Sequence, residues 1–188
     1  VIPMGLDKDN DAQEAFNMID YFKRNGVLVK ELKEDTGTYK KGDLVIDMAQ
    51  AKRGYANHIL YKGSNESAWA AMYAELLVNF PDMKGFKAEP VFNDGLFAGK
   101  LGEVTTTRAT RTSEIDPKAP YYVIANTSAS AVQAVNKAIS QGKSVYLTDD
   151  GYIVDRDTFA SLLPNYAIYG EALYKVPNGP TLKPLKIY

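Results

Sequence analysis

The chain has 188 residues, 45% apolar and 24% charged, with a formal net charge of -1. That length and apolar share predict one globular domain with its own core, and a near-neutral balance without a basic run argues against nucleic acid or an anionic membrane as the main partner. No stretch approaches the roughly 20 apolar residues of a bilayer span. Cysteine is absent and His58 is the single histidine, so disulfides are ruled out and little of the usual hydrolytic machinery is left, since catalytic zinc sites use several His ligands and the common nucleophilic dyads pair Ser or Cys with His.

The opening Val1-Ile2-Pro3-Met4 reads as the interior of a longer polypeptide and not as a secretory leader. Asp11 to Asn25 then shows helical periodicity, with Ala12, Ala15, Phe16, Ile19 and Phe22 on one face; Asp11 and Glu14 mark its start, and Gly26 supplies a left-handed stop. Val27 to Leu32 reads as a strand, and the apolar run Leu44 to Met48 as a strand covered on both faces. Gln50 to Tyr61 predicts a short helix interrupted near Gly54. Trp69 to Phe80 has the strongest helical spacing in the chain, closed by Pro81.

From Asp82 to Pro120, frequent Gly and Pro and a Thr/Arg stretch over 105–112 predict a long irregular excursion. Order returns at Tyr121 to Ala125, a strand followed by the polar turn Asn126 to Ser130, a helix through Ile139 stopped at Gly142, and a strand at Ser144 to Thr148. This pattern reads as a βαβ unit. Asp150-Gly151 predicts a hairpin into Tyr152 to Val154 at a sheet edge, and Asp155 is placed to cap a short helix ending before Pro164. Leu185 to Tyr188 reads as a strand cut short. Alternating strands and helices predict an α/β fold, a three-layer sandwich with a mostly parallel sheet.

Two polar groups are candidate ligand sites. Gln50, Lys52, Arg53, Asn57 and His58 form the densest polar cluster; Arg53 suits a carboxylate through a bidentate pair, with Asn57 and His58 about one helical turn on. The alternative is that Arg53 pairs with a neighbouring acid and His58 is simply solvated. Asn126, Ser128 and Ser130 lie where open α/β sheets receive ligands, after a strand and at a helix start. There a hydroxyl is a candidate anion ligand or nucleophile, or a helix cap. The acidic run Asp149, Asp150, Asp155 and Asp157 lacks the spacing of a calcium loop and reads as a turn plus a cap. The 13 tyrosines offer amphipathic surface for a glycan or peptide groove, or partly buried core and rim.

The segment Asp47 to Asn57, of the form Met-x-Gln-x-Lys-Arg-Gly-x-Ala-Asn from Met48, together with Tyr121 to Val154 and the closing Lys183 to Tyr188, resembles the region that follows the peptidase domain in large secreted zinc carboxypeptidases of Bacillus-like bacteria, relatives of carboxypeptidase A. The resemblance implies an accessory domain of flavodoxin-like or class I glutamine amidotransferase-like architecture, and a secreted or cell-surface location. The peptidase's zinc ligands and an amidotransferase Cys nucleophile have no counterparts here, so any zinc belongs to a preceding peptidase domain and this chain itself carries no cofactor. The expected role is non-catalytic support of that domain, or positioning of peptide or cell-wall substrate. Its rivals are a small-molecule or glycan binding module and, further off, a hydrolase using Ser128 or Ser130.

Overall fold

The computed structural model describes residues 1–62, 79–105, 109 and 114–184. The chain divides into two compact units: Val1–Met4 with Glu14–Thr107, and Gly5–Gln13 with Arg108–Tyr188.

Helix α1 (Ala12–Arg24), which lies in the first unit from Glu14 on, buries Ala15, Met18, Ile19 and Phe22, the stripe its spacing demands. Its end is a Schellman closure: Val27 N–H is donated to Phe22 O at 2.9 Å and Gly26 N–H to Lys23 O at 3.0 Å. Gly26 takes the left-handed backbone this needs, at φ 76°. Strand β1 (Lys30–Leu32) is flanked by β2 (Leu44–Val45) and, across the unit, by β3 (Leu101–Gly102), both antiparallel. The unit's other described helices are α2 (Arg53–Leu60) and α3 (Phe80–Lys84).

Two buried carboxylates tie this small sheet together. Val27, Val29 and Glu31 alternate inward, so Glu31 occupies a core-facing position. Its charge is met by Lys33 Nζ at 2.9 Å and by the Thr105 amide at 2.9 Å. Asp43 accepts from the Met4 and Lys40 amides at 2.8 and 2.7 Å, anchoring the first residues beside β2. Burial of both carboxylates is tolerable because their acceptor sites are filled.

The second unit runs β4 (Tyr121–Ile124), α4 (Ala129–Ser140), β5 (Tyr146–Thr148), β6 (Gly151–Asp155), α5 (Arg156–Leu162) and β7 (Gly170–Leu173). Its sheet has the order β5-β6-β4-β7, with every pair antiparallel. This is the βαββαβ, or split βαβ, arrangement. Both helices contribute to one core, in which Ala131, Ala134, Val135 and Ala138 of α4 and Phe159 and Leu162 of α5 meet Tyr122, Ile124 and Val154 of the sheet. Helix α4 ends as α1 does, with Gly142 N–H on Ile139 O and Lys143 N–H on Ala138 O, both at 3.0 Å.

The expected three-layer sandwich with a mostly parallel, flavodoxin-like or class I glutamine amidotransferase-like sheet is therefore corrected: the described strands form two small, wholly antiparallel sheets. Strand-helix-strand spacing reads as one adjacent parallel pair. β4 and β5 do run in the same direction, but β6 folds back between them and pairs with both. β6 is thus central, not an edge. Gly151 makes this possible, because a side chain there would collide with the Ile124 carbonyl of β4.

Two further expectations change. Gly54 does not interrupt α2, which runs through it. Pro81 sits in the first turn of α3, capped by Asn79, whose side chain accepts from Asp82 N–H at 3.1 Å; a missing N–H costs nothing there. Most of the helix expected over Trp69 to Phe80, the Thr/Arg stretch apart from Thr105 and Ala109, and the strand at Leu185 to Tyr188 lie outside the described residues.

Candidate functional site

The two polar groups singled out from the sequence fall in different units, and each has its own local architecture. In the first unit the segment before α2 is pinned by side chains bonding to backbone. Asp47 Oδ1 accepts from Ala49 N–H at 2.8 Å. The Gln50 amide accepts from Leu28 N–H at 2.8 Å and donates Nε2 to Leu28 O at 3.1 Å and to Asp47 O at 2.6 Å. One side chain therefore satisfies both backbone groups of Leu28, as a neighbouring strand would. Gln50 is a structural clip, and its amide is already occupied.

That clip fixes the start of α2, whose Arg53 N–H is donated to Gln50 O at 3.2 Å. Ala56 and Ile59 face inward, while Lys52, Arg53, Asn57 and His58 are exposed. Arg53 and Asn57 are four residues apart and share one face; His58 lies on the adjoining strip. The Lys52 stem passes over Gly26, which has no side chain to obstruct it. Among the described residues, the side chains of Lys52, Arg53, Asn57 and His58 have no hydrogen-bond or ion-pair partner. Leu28 and Met48, at 63% and 41% exposure, add apolar surface to the clipped segment. The clipped segment thus leads into a helix whose cationic and amide donors are unengaged among the described residues.

In the second unit the turn after β4 is largely used up. Ser128 is the N-cap of α4, its Oγ accepting from Ala131 N–H at 3.0 Å. Asn126 Oδ1 accepts from the Tyr152 hydroxyl at 3.1 Å. Of the two serines, Ser130, half-buried in the first turn of α4, is the one that does not serve as the cap. The Asp150-Gly151 turn and the Asp155 cap account for the acidic run: Asp155 Oδ1 accepts from Thr158 N–H at 2.8 Å and Oδ2 from Thr158 Oγ1 at 2.7 Å.

A third polar knot has no counterpart in the sequence motifs. Asp116 accepts from the Tyr174 hydroxyl and from Lys118 N–H, and its own N–H is donated to the hydroxyl of buried Tyr122. The Tyr174 hydrogen bond holds the Asp116 carboxyl below its ordinary range, with the Lys118 amide helping, and that same bond raises the Tyr174 phenol. No spacing signals its Tyr174 member, which joins Asp116 only when the segment after β7 returns to the loop before β4.

Among the described residues no group of three or more His, Asp or Glu is assembled that would hold a metal ion, and no helix is long and apolar enough to cross a membrane. Compared with family models, curated proteins and solved structures, the chain matches none.

Proposed function

We propose that this chain is a non-catalytic accessory module, whose α2 face supports a peptidase domain of the same polypeptide or positions peptide or cell-wall substrate for it. The observation that supports this reading is the Gln50 clip at the start of α2, followed by Arg53 and Asn57, whose side-chain donors have no partner among the described residues. The planar guanidinium of Arg53 suits bidentate recognition of a carboxylate, and a peptide substrate of a carboxypeptidase ends in one. The engagement of Ser128 as a cap supports the same reading over a serine hydrolase. The parent's zinc chemistry and a secreted location enter through the family resemblance of the Met48 to Asn57 segment.

Heteronuclear NMR of the chain, titrated with a short peptide bearing a free C-terminal carboxylate and then with its C-terminal amide, tests the proposal. The expected result is that amide resonances of α2 move with the acid peptide only, and that Arg53→Ala abolishes the movement. Unmoved α2 resonances with both peptides would overturn it. So would turnover of either peptide by this chain with added zinc.

A further inference from the structure

The chain contains two Asn-Gly dipeptides, Asn25-Gly26 and Asn178-Gly179. In such a pair the glycine amide nitrogen is able to attack the asparagine side-chain carbonyl, because glycine puts no side chain in the way of ring closure. The fold treats the two pairs in opposite ways. At the end of α1 both reacting groups are engaged: Gly26 N–H is donated to Lys23 O at 3.0 Å, and Asn25 Nδ2 to Tyr21 O at 2.8 Å. At the second pair both residues are exposed, and among the described residues neither the Asn178 amide nor Gly179 N–H has a hydrogen-bond partner.

The second pair also stands at the head of a strap. Leu147 N–H is donated to Pro180 O at 3.0 Å and Leu182 N–H to Val145 O at 2.8 Å, with Tyr146 bridged to Thr181. Pro180 to Leu182 thereby covers the edge of β5, one of the two outer strands of its sheet. Gly179 begins this approach so closely that a Cβ would lie 2.5 Å from Leu147 O.

We propose that Asn178 is a self-modification site whose conversion to aspartyl and isoaspartyl forms loosens this strap from β5. The Gly179 nitrogen loses its proton and bonds to Asn178 Cγ, the Cγ–Nδ2 bond breaks, and ammonia departs with that proton. Water then opens the succinimide: cleavage at Cγ yields aspartate, and cleavage at the main-chain carbonyl yields isoaspartate. The balance is one water in and one ammonia out, with no redox change. Isoaspartate routes the backbone through an extra carbon immediately before the tight approach of Gly179 to Leu147. Either product replaces the neutral amide with a negative charge at the residue before Gly179. The strap that shields an otherwise unpaired strand edge is weakened as a result.

The experiment incubates the full chain at mildly alkaline pH and follows both peptides by mass spectrometry, with enzymatic methylation to score isoaspartate. We expect the Asn178 peptide to convert at least about tenfold faster than the Asn25 peptide, equivalent to a barrier difference of about 1.4 kcal/mol. Asn178→Gln should stop the conversion. Hydrogen exchange should quicken at the Leu147 and Leu182 amides in converted wild type but not in incubated N178Q. Equal rates at the two pairs, no product at Asn178, or unchanged exchange after conversion would each overturn the proposal.

Discussion

The Phe159 ring lies flat on that of Tyr122, with centroids 4.4 Å apart and planes 6° from parallel, so α5 is seated on β4 by two aromatic faces. Gly170 of β7 completes the fit: a Cβ there would stand 2.6 Å from two atoms of the Phe159 ring. Both rings are fully buried. Phe159→Ala should therefore cost about 3–5 kcal/mol in urea unfolding, and Gly170→Ala about 1–3 kcal/mol through overpacking. Combining Gly170→Ala with Phe159→Leu should cost less than the sum of the two singles, since the smaller side chain vacates the space the new methyl needs. Strict additivity would mean that the glycine is not there for the ring.

The Gln50 clip predicts a different signature. Gln50→Ala strands both backbone groups of Leu28, and Gln50→Glu retains the acceptor for Leu28 N–H while setting a carboxylate oxygen against two carbonyls. Because Leu28 borders solvent, each substitution should destabilise by about 0.5–1.5 kcal/mol, the net worth of a hydrogen bond that water can replace. Hydrogen exchange at Leu28 N–H separates them: fast in Q50A, still protected in Q50E. If both variants exchange as slowly as wild type, another group holds the segment before β1.

Much of the local structure is legible in the sequence because it rests on short-range chemistry. The apolar stripe of α1, Gly26 and Gly142 as helix stops, Ser128 as a cap among the readings of its turn, and Asp155 as a cap all follow from residues within a few positions of one another. The sheet is not legible, because strand-helix-strand spacing is the same whether β5 lies beside β4 or beyond an inserted β6, and the pairing of β6 with β4, close at Gly151, is a contact between distant residues. The candidate site divides along similar lines. Arg53, Asn57 and His58 fall on one helix by their spacing, whereas the use of Gln50 as a surrogate strand depends on Leu28, which is 22 residues distant.

Gly54 offers a substitution that should stabilise. It lies in the first turn of α2, without a positive φ, and nothing stands within 4 Å of the place an added Cβ would take. Alanine fits that backbone without strain and lowers the entropy of the unfolded chain. Gly54→Ala should raise stability by about 0.5–1 kcal/mol in thermal or urea unfolding, and leave peptide-induced shifts at Arg53 intact. A loss of stability would show that α2 needs the glycine for a reason its surroundings do not reveal.

Acid sensitivity should centre on the α5 cap. Partial burial works to raise the Asp155 carboxyl, but bonds from the Thr158 hydroxyl and amide, the charge of Lys143 and the Asp157 amide outweigh it and leave the carboxyl below its ordinary range. A carboxyl depressed by folding stabilises the protein above its unfolded value and loses that contribution as pH falls through the folded one. Melting temperatures of wild type and Asp155→Asn, measured from neutral pH downward, should show N-capping retained in the variant but the ionic contribution gone. The wild-type advantage present at pH 7 should then shrink below about pH 4. A gap between the two proteins that stays constant with pH would assign the cap's value to its hydrogen bonds alone, and the charge of Asp155 would have no part in it.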